Sequence, residues 1–200
     1  MSLKKLFAAD YQARIFDVLH SLTRFLLHIV YTIIYRIEAK MIGVSVGKNV
    51  SFNGHITIDR FKYSKITIGN NVVFNSHSAF NPRGCKKCIL KTATDSAVIE
   101  IGDGTGLSGV SIVSWNSVKI GRNVLIGADT CIGDTDDHPE RLGTTTAPIR
   151  IGDNVFIGMH CIIMKGVTIG DNAIIGAGSV VTKDIPAGCK AVGVPCRVLQ

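Results

Sequence analysis

Residues 151–181 read IGDNVFIGMHCIIMKGVTIGDNAIIGAGSVV, and an aliphatic residue occupies every sixth position of this stretch. An α-helix repeats after about 3.6 residues and a β-strand after two, so an unbroken period of six belongs to neither element alone. This period is typical of short strands joined by corners, which coil into a β-helix. The aliphatic positions are Ile151, Ile157, Ile163, Ile169, Ile175 and Val181.

The same spacing recurs earlier in the chain, so the repeat extends well beyond this stretch. An ordinary β-sandwich would instead show turn signals about every 8–12 residues. The earlier sets are Val46, Phe52 and Ile58; Ile68, Phe74 and Phe80; Ile101, Leu107 and Val113; and Ile120, Ile126 and Ile132.

The residues between the aliphatic positions suit tight corners. Asn or Gly usually stands three positions after the aliphatic residue, and these residues tolerate a positive φ better than others. A small or β-branched residue, such as Val155 or Cys161, stands one position further on and is predicted to point inward as well. The predicted corner residues are Asn49, Asn71, Gly104, Asn123, Asn154 and Asn172.

The chain divides into three parts by its pattern. Residues 1–43 lack the period of six and are predicted to form a helical arm, residues 44–188 carry the β-helix, and residues 189–200 form a tail. Interruptions are predicted at 86–100, with a smaller one at Arg60–Lys65, and in an active-site loop at 133–150. A coil admits insertions only outward at its corners, and such loops commonly carry function.

The helical arm allows two interpretations. Only eleven uncharged residues lie between Arg24 and Arg36, whereas about 20 are needed to span a bilayer. Basic residues punctuate the apolar run, as in a helix that lies on a membrane surface, so residues 5–40 are one candidate membrane contact. The alternative is an arm that caps the open end of the coil or packs on a neighbouring subunit.

Composition narrows the function classes. Hydrophobic residues make up 46% of the chain and aromatic residues 6%, which suits a core of stacked aliphatic side chains. The net charge of +7 is modest and no basic cluster is dense, so an anionic small molecule or a membrane surface is expected as partner, and no nucleic acid.

Six cysteines are present, but no second pair accompanies Cys85 and Cys88 at zinc-finger spacing, so no metal is expected. These two are predicted to be loop thiols, which either bind a metal or pair with each other, or have only a structural role, the last being favoured. Cys131 is predicted to lie on a strand and Cys161 in an inward position, and both are predicted to be reduced packing residues. No cleavable signal peptide is expected. The expected location is therefore the reducing cytoplasm, either free or peripheral at the inner face of the membrane.

Four stretches carry a resemblance to a known family: IGDNVFIG (151–158), GVTIGDN (166–172), IGAGSVVTKDIP (175–186) and AVGVPCR (191–197). From residue 44 onward the chain resembles the hexapeptide-repeat acyltransferases, in the maltose/galactoside and polysaccharide O-acetyltransferase branch. The resemblance implies an all-β, left-handed parallel β-helix, here with an N-terminal α-helical extension. It also implies a homotrimer, with acetyl-CoA bound in the cleft between neighbouring subunits.

The resemblance also implies a catalytic histidine in the loop that interrupts the array, and His138, followed by Pro139, matches it. A histidine can accept the proton of an acceptor hydroxyl as that hydroxyl attacks the thioester in a ternary complex. A backbone N–H near Gly158 or Met159 is expected to stabilise the oxyanion. Asp136 or Asp137 is expected to orient the imidazole of the histidine or to bind a sugar hydroxyl. The alternative is that these acidic residues only make an exposed loop soluble.

Further residues are assigned by the same resemblance. Backbone groups of Ala177 and Ser179 are expected at the pantetheine amides of coenzyme A, and two basic residues are expected at its phosphates. His160 is a candidate substrate contact. Relatives bind the acceptor with an Asn where residues 107–110 here read LSGV, so acceptor recognition is left open. The cofactor positions are Ala177, Ser179, Thr182, Lys183 and Arg197.

The predicted function is transfer of an acetyl group from acetyl-CoA to a saccharide hydroxyl, on either a surface-polysaccharide or a lipid-linked precursor. N-acylation of an amino sugar or another small amine is the alternative. A metal enzyme of the γ-carbonic anhydrase type needs two closely spaced histidines on one coil, and none are present. A non-catalytic β-helix is the remaining class.

Overall fold

The computed structural model describes residues 3–82, 84, 86–136 and 145–199, with side chains described from residue 14 onward. Helix α1, Leu3–Met41, is followed by short strands. They are β1 (Ser45–Val46), β2 (Ser51–Asn53), β3 (Ile56–Asp59), β4 (Lys65–Ile68), β5 (Val73–Asn75), β6 (Cys88–Thr92), β7 (Val98–Ile101), β8 (Gly106–Ser108), β9 (Ser111–Ser114), β10 (Ser117–Ile120), β11 (Leu125–Ile126), β12 (Cys131–Gly133), β13 (Ile149–Ile151), β14 (Phe156–Ile157), β15 (Ile162–Ile163), β16 (Thr168–Ile169), β17 (Ile174–Ile175), β18 (Val180–Val181), β19 (Lys190–Gly193) and β20 (Cys196–Val198).

The strands form three sheets along the sides of a coil. The first sheet has the order β1-β4-β7-β10-β13-β16, the second β2-β5-β8-β11-β14-β17-β19-β20, and the third β3-β6-β9-β12-β15-β18. Neighbouring strands pair in parallel, except that β19 and β20 are antiparallel. The chain therefore folds as the predicted left-handed parallel β-helix with an N-terminal helix.

The core is the predicted aliphatic ladder, except that Ile112, and not the predicted Val113, is the buried residue that pairs with Ile132. Ile126, Ile157 and Ile175 pair in register across the second sheet and are 3%, 0% and 0% exposed. The second inward position is confirmed as well, because Val155 and Cys161 are 1% and 0% exposed. Parallel pairing places like residues above one another, so each coil repeats the packing of the coil before it.

The corners are confirmed as the sequence predicts. Every predicted corner asparagine has a positive φ, from 55° at Asn49 to 59° at Asn172, and Gly104 has a φ of 71°. Asp153 fastens one corner, because its Oδ1 accepts the Arg122 backbone N–H at 2.7 Å and its Oδ2 accepts Arg122 Nη2 at 2.6 Å. The Arg122 side chain holds the pKa of Asp153 below its ordinary value.

The first interruption lies earlier in the chain than predicted. Residues 88–92 and 98–101 are strands of the coil, in register with β3 and β4, and the insertion is residues 76–87 between β5 and β6. Phe80 keeps the spacing of six but is only partly buried and lies in no strand. An insertion shifts the positions at which the period of six continues. Because Phe80 stands six residues after Phe74, it was taken as part of the repeat, and the predicted break therefore came too late in the chain.

Two predictions about cysteines were wrong. Cys88 is no loop thiol but a fully buried residue of β6, and burial raises the pKa of its thiol. Cys131 lies in β12 as predicted, but its side chain is exposed and does not pack in the core. Cys85 lies outside the described residues.

The second half of α1 packs on the first coil. Tyr35 and Ala39 are 6% and 0% exposed, and the Tyr35 ring lies 5.8 Å from that of the inward-facing Phe52. The Tyr35 hydroxyl is 2.9 Å from His55 Nδ1, and the Phe52 backbone N–H donates to Thr32 Oγ1 at 3.1 Å. This half of the arm therefore caps the coil.

The other face of α1 is exposed and apolar. By length and composition, the segment Arg14–Met41 suffices to cross a membrane. Its most apolar 18 residues have a mean hydropathy of 1.3, and only 6% of them are buried. The eleven-residue run between Arg24 and Arg36 therefore underestimates its apolar length. The large exposed apolar residues are Ile15, Phe16, Val18, Leu19, Leu22, Phe25, Leu26, Ile29, Val30, Ile33, Ile34, Ile37 and Met41.

Candidate active site

A cleft of about 470 Å³ runs along the corner that follows the second sheet. It brings together three predicted site residues, Gly158, Met159 and Ala177, which come from two successive coils. The other lining residues are Asn81, Pro82, Ser108, Gly127, Ala128 and Phe156.

Glycines shape the wall of this cleft. A Cβ on Gly158 would lie 2.5 Å from Ala177 N, and one on Gly127 would lie 2.5 Å from Met159 N. Both distances are shorter than any van der Waals contact, so these positions require glycine. Because the backbones of neighbouring coils approach so closely, the wall presents peptide groups and small side chains, which suits a slender ligand with amides of its own.

The two predicted oxyanion donors differ. The N–H of Gly158 is already donated to the carbonyl of Ile175 at 2.8 Å, as part of the ladder. Within the described part of the chain, the N–H of Met159 has no backbone acceptor, while its carbonyl accepts the N–H of Gly178 at 2.8 Å. Of these two N–H groups, the geometry therefore leaves only that of Met159 without a backbone acceptor.

Asp134 anchors the start of the predicted active-site loop. Its carboxylate is fully buried and accepts the backbone N–H groups of Trp115 and Asn116 at 2.7 and 2.9 Å. The Ser114 hydroxyl donates to it at 2.8 Å. A carboxylate held by three donors fixes the chain where the loop leaves the coil.

The base of the loop is closed by polar contacts. Thr135 and Thr146 form an antiparallel bridge, and Asp136 forms a salt bridge with Lys165 and accepts the Thr145 hydroxyl at 3.0 Å. Lys165 was not recognised from the sequence, because its partner lies 29 residues away. Asp137 and His138 lie outside the described residues, so their roles stay predictions.

The loop and the cleft lie at different corners of the coil. The loop joins β12 to β13, so it leaves the corner between the third and first sheets. The cleft lies between the second and third sheets, with β12 and β15 between the two corners. The described residues of one chain therefore do not bring Asp136 next to Met159.

The predicted cofactor residues are spread along the end of the coil. Ser179 is buried, its hydroxyl donates to the Gly176 carbonyl at 2.6 Å, and its own carbonyl accepts the Ile162 N–H at 2.9 Å. Thr182, Lys183 and Arg197 are exposed and lie outside the cleft. Their contacts with a cofactor stay predictions.

His160 forms a corner. It is exposed with a φ of 56°, and its N–H donates to the Ala128 carbonyl at 2.8 Å. It follows Met159 directly, but its side chain does not line the cleft.

The insertion also contributes a wall of the cleft that was not predicted from the sequence. Asn81 and Pro82 reach the cleft from the insertion that was placed too late in the chain. The Asn-Pro pair is a turn signal, and it could have marked this loop.

Comparisons with known proteins agree with this architecture. The family described as "hexapeptide repeat of succinyl-transferase" matches residues 117–133 and 148–183. A hexapeptide-repeat-containing acetyltransferase from Vibrio cholerae is 32% identical with a TM-score of 0.50, and the match covers 56% of this chain and 69% of that one. An N-acyltransferase from Bacillus cereus, solved with dTDP and 3-hydroxybutyryl-CoA, has a TM-score of 0.64 over 82% of this chain and 87% of its own. Its identity of 24% shows the fold alone.

Galactoside O-acetyltransferase from Escherichia coli is 50% identical over 97 residues. The match covers 46% of this chain and 47% of the relative, so the chain spans about half the length of the curated relative it matches. The repeats, the fold and these similarities agree: the chain belongs to the family of hexapeptide-repeat acyltransferases.

Proposed function

We propose that this protein transfers an acetyl group from acetyl-CoA to a hydroxyl of a saccharide. The observation that carries the proposal is the glycine-walled cleft, in which Gly158, Met159 and Ala177 meet. Its narrow backbone wall suits the pantetheine arm of a CoA thioester. The similarity to a galactoside O-acetyltransferase favours an acetyl donor and a sugar acceptor.

In the proposed mechanism, His138 removes the proton of the acceptor hydroxyl as its oxygen attacks the thioester carbonyl. The N–H of Met159 stabilises the charge that develops on the carbonyl oxygen. The attack forms a tetrahedral intermediate. Its collapse breaks the bond between the carbonyl carbon and sulfur and expels the CoA thiolate, so no acyl-enzyme is needed. Lys183 and Arg197 supply positive charge for the phosphates of CoA.

We propose that the active unit is a homotrimer. The loop and the cleft lie at different corners, so a neighbouring copy would supply the loop that completes each cleft. Leu125, Phe156 and Ile174 support an interface, because they pair in register on the outer face of the second sheet and are 53%, 47% and 41% exposed. Sedimentation equilibrium tests this: a trimer is expected, and a monomer at micromolar concentration would contradict it.

The activity is tested in two steps. Calorimetric titration with acetyl-CoA should show binding, and mass spectrometry of reactions with methyl glycosides should show an O-acetylated sugar. Amino sugars in the same panel test N-acylation. If only their amine is acetylated, the acceptor is an amine and not a saccharide hydroxyl. Absence of both binding and thioester turnover would contradict the proposal.

We also propose that α1 rests on an anionic membrane surface, which would place the enzyme at the inner face of the cytoplasmic membrane. Positions 28, 32, 35 and 39 face the coil, and apolar residues at helical spacing form the outward face. Between Ile15 and Ile37 this face carries no charge over a length of about 33 Å. Because the second half of α1 is docked on the coil, it lies in the interface rather than across the bilayer. The outward residues are Ile15, Leu19, Leu22, Leu26, Ile29, Ile33 and Ile37.

Vesicle co-sedimentation tests this surface. The wild-type protein should bind vesicles that contain phosphatidylglycerol, with binding weakened by salt. The double variant Leu22→Glu/Leu26→Glu should lose binding, while Leu199→Glu, at an exposed leucine of the tail, should keep it. If the double variant binds like wild type but has a lower oligomeric mass, the face contacts a second copy instead.

A further inference from the structure

Arg36 lies where α1 meets the first coil, and it lines two neighbouring clefts. The residue is partly buried, and its Nη2 donates to the Gly47 carbonyl at 3.1 Å. A guanidinium carries several N–H donors, so others are left for a second acceptor. Among the residues that the structure describes, Arg36 forms no salt bridge. A partly buried, unpaired guanidinium that is held in place favours an anionic ligand.

The first cleft combines basic and apolar side chains. It has a volume of about 360 Å³ and lies between α1 and the start of the coil. Ile37, which belongs to the outward apolar face of α1, forms part of its wall. The cleft is therefore continuous with the face that is proposed to rest on a membrane. Its lining residues are Arg36, Ile37, Lys40, Val44 and Val46.

The second cleft is polar. It has a volume of about 600 Å³ and lies at the corner between the first and second sheets. Hydroxyl and amide side chains line most of it, and these can bind the polar end of a lipid headgroup. Arg36 thus has an apolar niche on one side and a polar niche on the other. The lining residues of this second cleft are His28, Thr32, Arg36, Lys48, Asn49, Val50 and Ser51.

The other basic side chains at this junction also have no acidic partner. Lys40 lies one helical turn after Arg36, and Lys48 lies on the corner next to Gly47. Both lysines are exposed, and within the described part of the chain neither forms a salt bridge. Glu38, two residues after Arg36, points about 200° away around the helix axis. The junction therefore carries positive charge that attracts an anion.

We propose that this junction binds an anionic phospholipid, with the phosphodiester at Arg36. The phosphate accepts hydrogen bonds from the guanidinium and is flanked by Lys40 and Lys48. The glycerol backbone and the first acyl carbons lie in the apolar cleft beside Ile37, and the rest of the headgroup enters the polar cleft. This inference rests on the proposed membrane contact of α1 and names the lipid group that it recognises. A free phosphate would leave the apolar cleft unfilled.

Short-chain lipids test the site apart from a membrane surface, because they stay monomeric below their critical micelle concentration. Wild type is titrated calorimetrically with dihexanoyl-phosphatidylglycerol, with zwitterionic dihexanoyl-phosphatidylcholine and with glycerol 1-phosphate. The phosphatidylglycerol should bind saturably. The phosphatidylcholine should bind at least about tenfold more weakly because its cationic group meets the lysines, and glycerol 1-phosphate because it lacks the acyl chains.

Variants locate the site. Arg36→Gln removes the charged donor and should weaken phosphatidylglycerol binding about tenfold or more. Arg24→Gln is the matched control, because it removes the same charge from the same helix at an exposed residue that lines neither cleft, and it should bind like wild type. Lys48→Glu, at an exposed corner residue, should weaken binding without a change in Tm.

Unchanged affinity in Arg36→Gln, or equal losses in Arg36→Gln and Arg24→Gln, would overturn the proposal. Binding of glycerol 1-phosphate as tight as that of the lipid would also overturn it and assign the junction to a free phosphate. If Arg36→Gln has a sharply lower Tm, Lys48→Glu decides, and unchanged affinity in that variant overturns the proposal.

The vesicle assay separates this outcome from failure of the proposed membrane contact. A wild-type protein that binds anionic vesicles but no short-chain phosphatidylglycerol keeps the membrane contact and loses the headgroup site. A wild-type protein that binds the short-chain lipid but no vesicles keeps the headgroup site and loses the membrane contact.

Discussion

Replacing Gly158 with alanine tests the close approach of neighbouring coils at the cleft. The added Cβ would lie 2.5 Å from Ala177 N and 2.7 Å from Ala177 Cα. Both are backbone atoms, which cannot rotate away as a side chain can. Since an ordinary contact begins at 3.4 Å, the two coils would have to separate by about 0.9 Å.

That separation strains the ladder between the coils. The N–H of Gly158 donates to the Ile175 carbonyl at 2.8 Å, directly after the last pair of β14 and β17, which joins Ile157 to Ile175. Overpacking of this kind typically costs about 1–3 kcal/mol. At about 2–4 °C per kcal/mol for a chain of this size, Gly158→Ala should lower the Tm by about 2–12 °C.

Gly133→Ala is the matched control. A Cβ at Gly133 would meet no atom of the described residues within 4 Å, and its φ lies outside the left-handed region. Its free energy of unfolding should therefore stay within about 0.5 kcal/mol of wild type. The measurement is the calorimetric Tm of wild type, Gly158→Ala and Gly133→Ala. Equal Tm values for Gly158→Ala and Gly133→Ala would refute the close approach from which the shape of the cleft is argued.

Three further predictions concern stability. The Arg122 side chain lowers the folded-state pKa of Asp153 below 3.8, so the ionised carboxylate stabilises the fold above pH 3.8, and this stabilisation is lost as the pH falls through the folded pKa. In urea unfolding, Asp153→Asn should therefore have a lower free energy of unfolding than wild type, by a difference that shrinks below about pH 4. A difference that stays constant with pH would refute the linkage. Asp134→Ala leaves the Trp115 and Asn116 N–H groups without their acceptor and should cost at least about 1–3 kcal/mol, measured by urea unfolding, while an unchanged midpoint would deny the anchor. Ile157→Ala empties a fully buried position and should cost about 2–5 kcal/mol, and a loss below 1 kcal/mol by the same measurement would contradict the packed ladder.

The repeating part of the fold could be predicted from the sequence because each rule acts locally. The period of six reports inward positions such as Ile157, and a corner such as Asn154 needs a residue that tolerates a positive φ. Neither depends on distant contacts. The insertion at 76–87 could not be placed this way, because it resets the phase and Phe80 keeps the spacing by coincidence.

Other features depend on contacts between distant parts of the chain. The helix is apolar on most of its surface, so spacing alone did not show that Tyr35 and Ala39 face the coil. The burial of Asn81 depends on room left by Gly109, and the salt bridge of Asp136 depends on Lys165 in a later coil. Such pairings follow only from the assembled coil. The predicted cleft residues Gly158, Met159 and Ala177 came together because they occupy the same corner of two successive coils.

The role of His138 is the central claim of the proposed mechanism, and steady-state thiol release from acetyl-CoA tests it most directly. General-base catalysis typically contributes about 10²–10⁴ in rate, so His138→Ala should lower kcat for acetyl transfer to a glycoside by about that factor. Acetyl-CoA affinity and Tm should match those of wild type, because the base acts on the acceptor hydroxyl. A variant that keeps wild-type turnover would contradict the account.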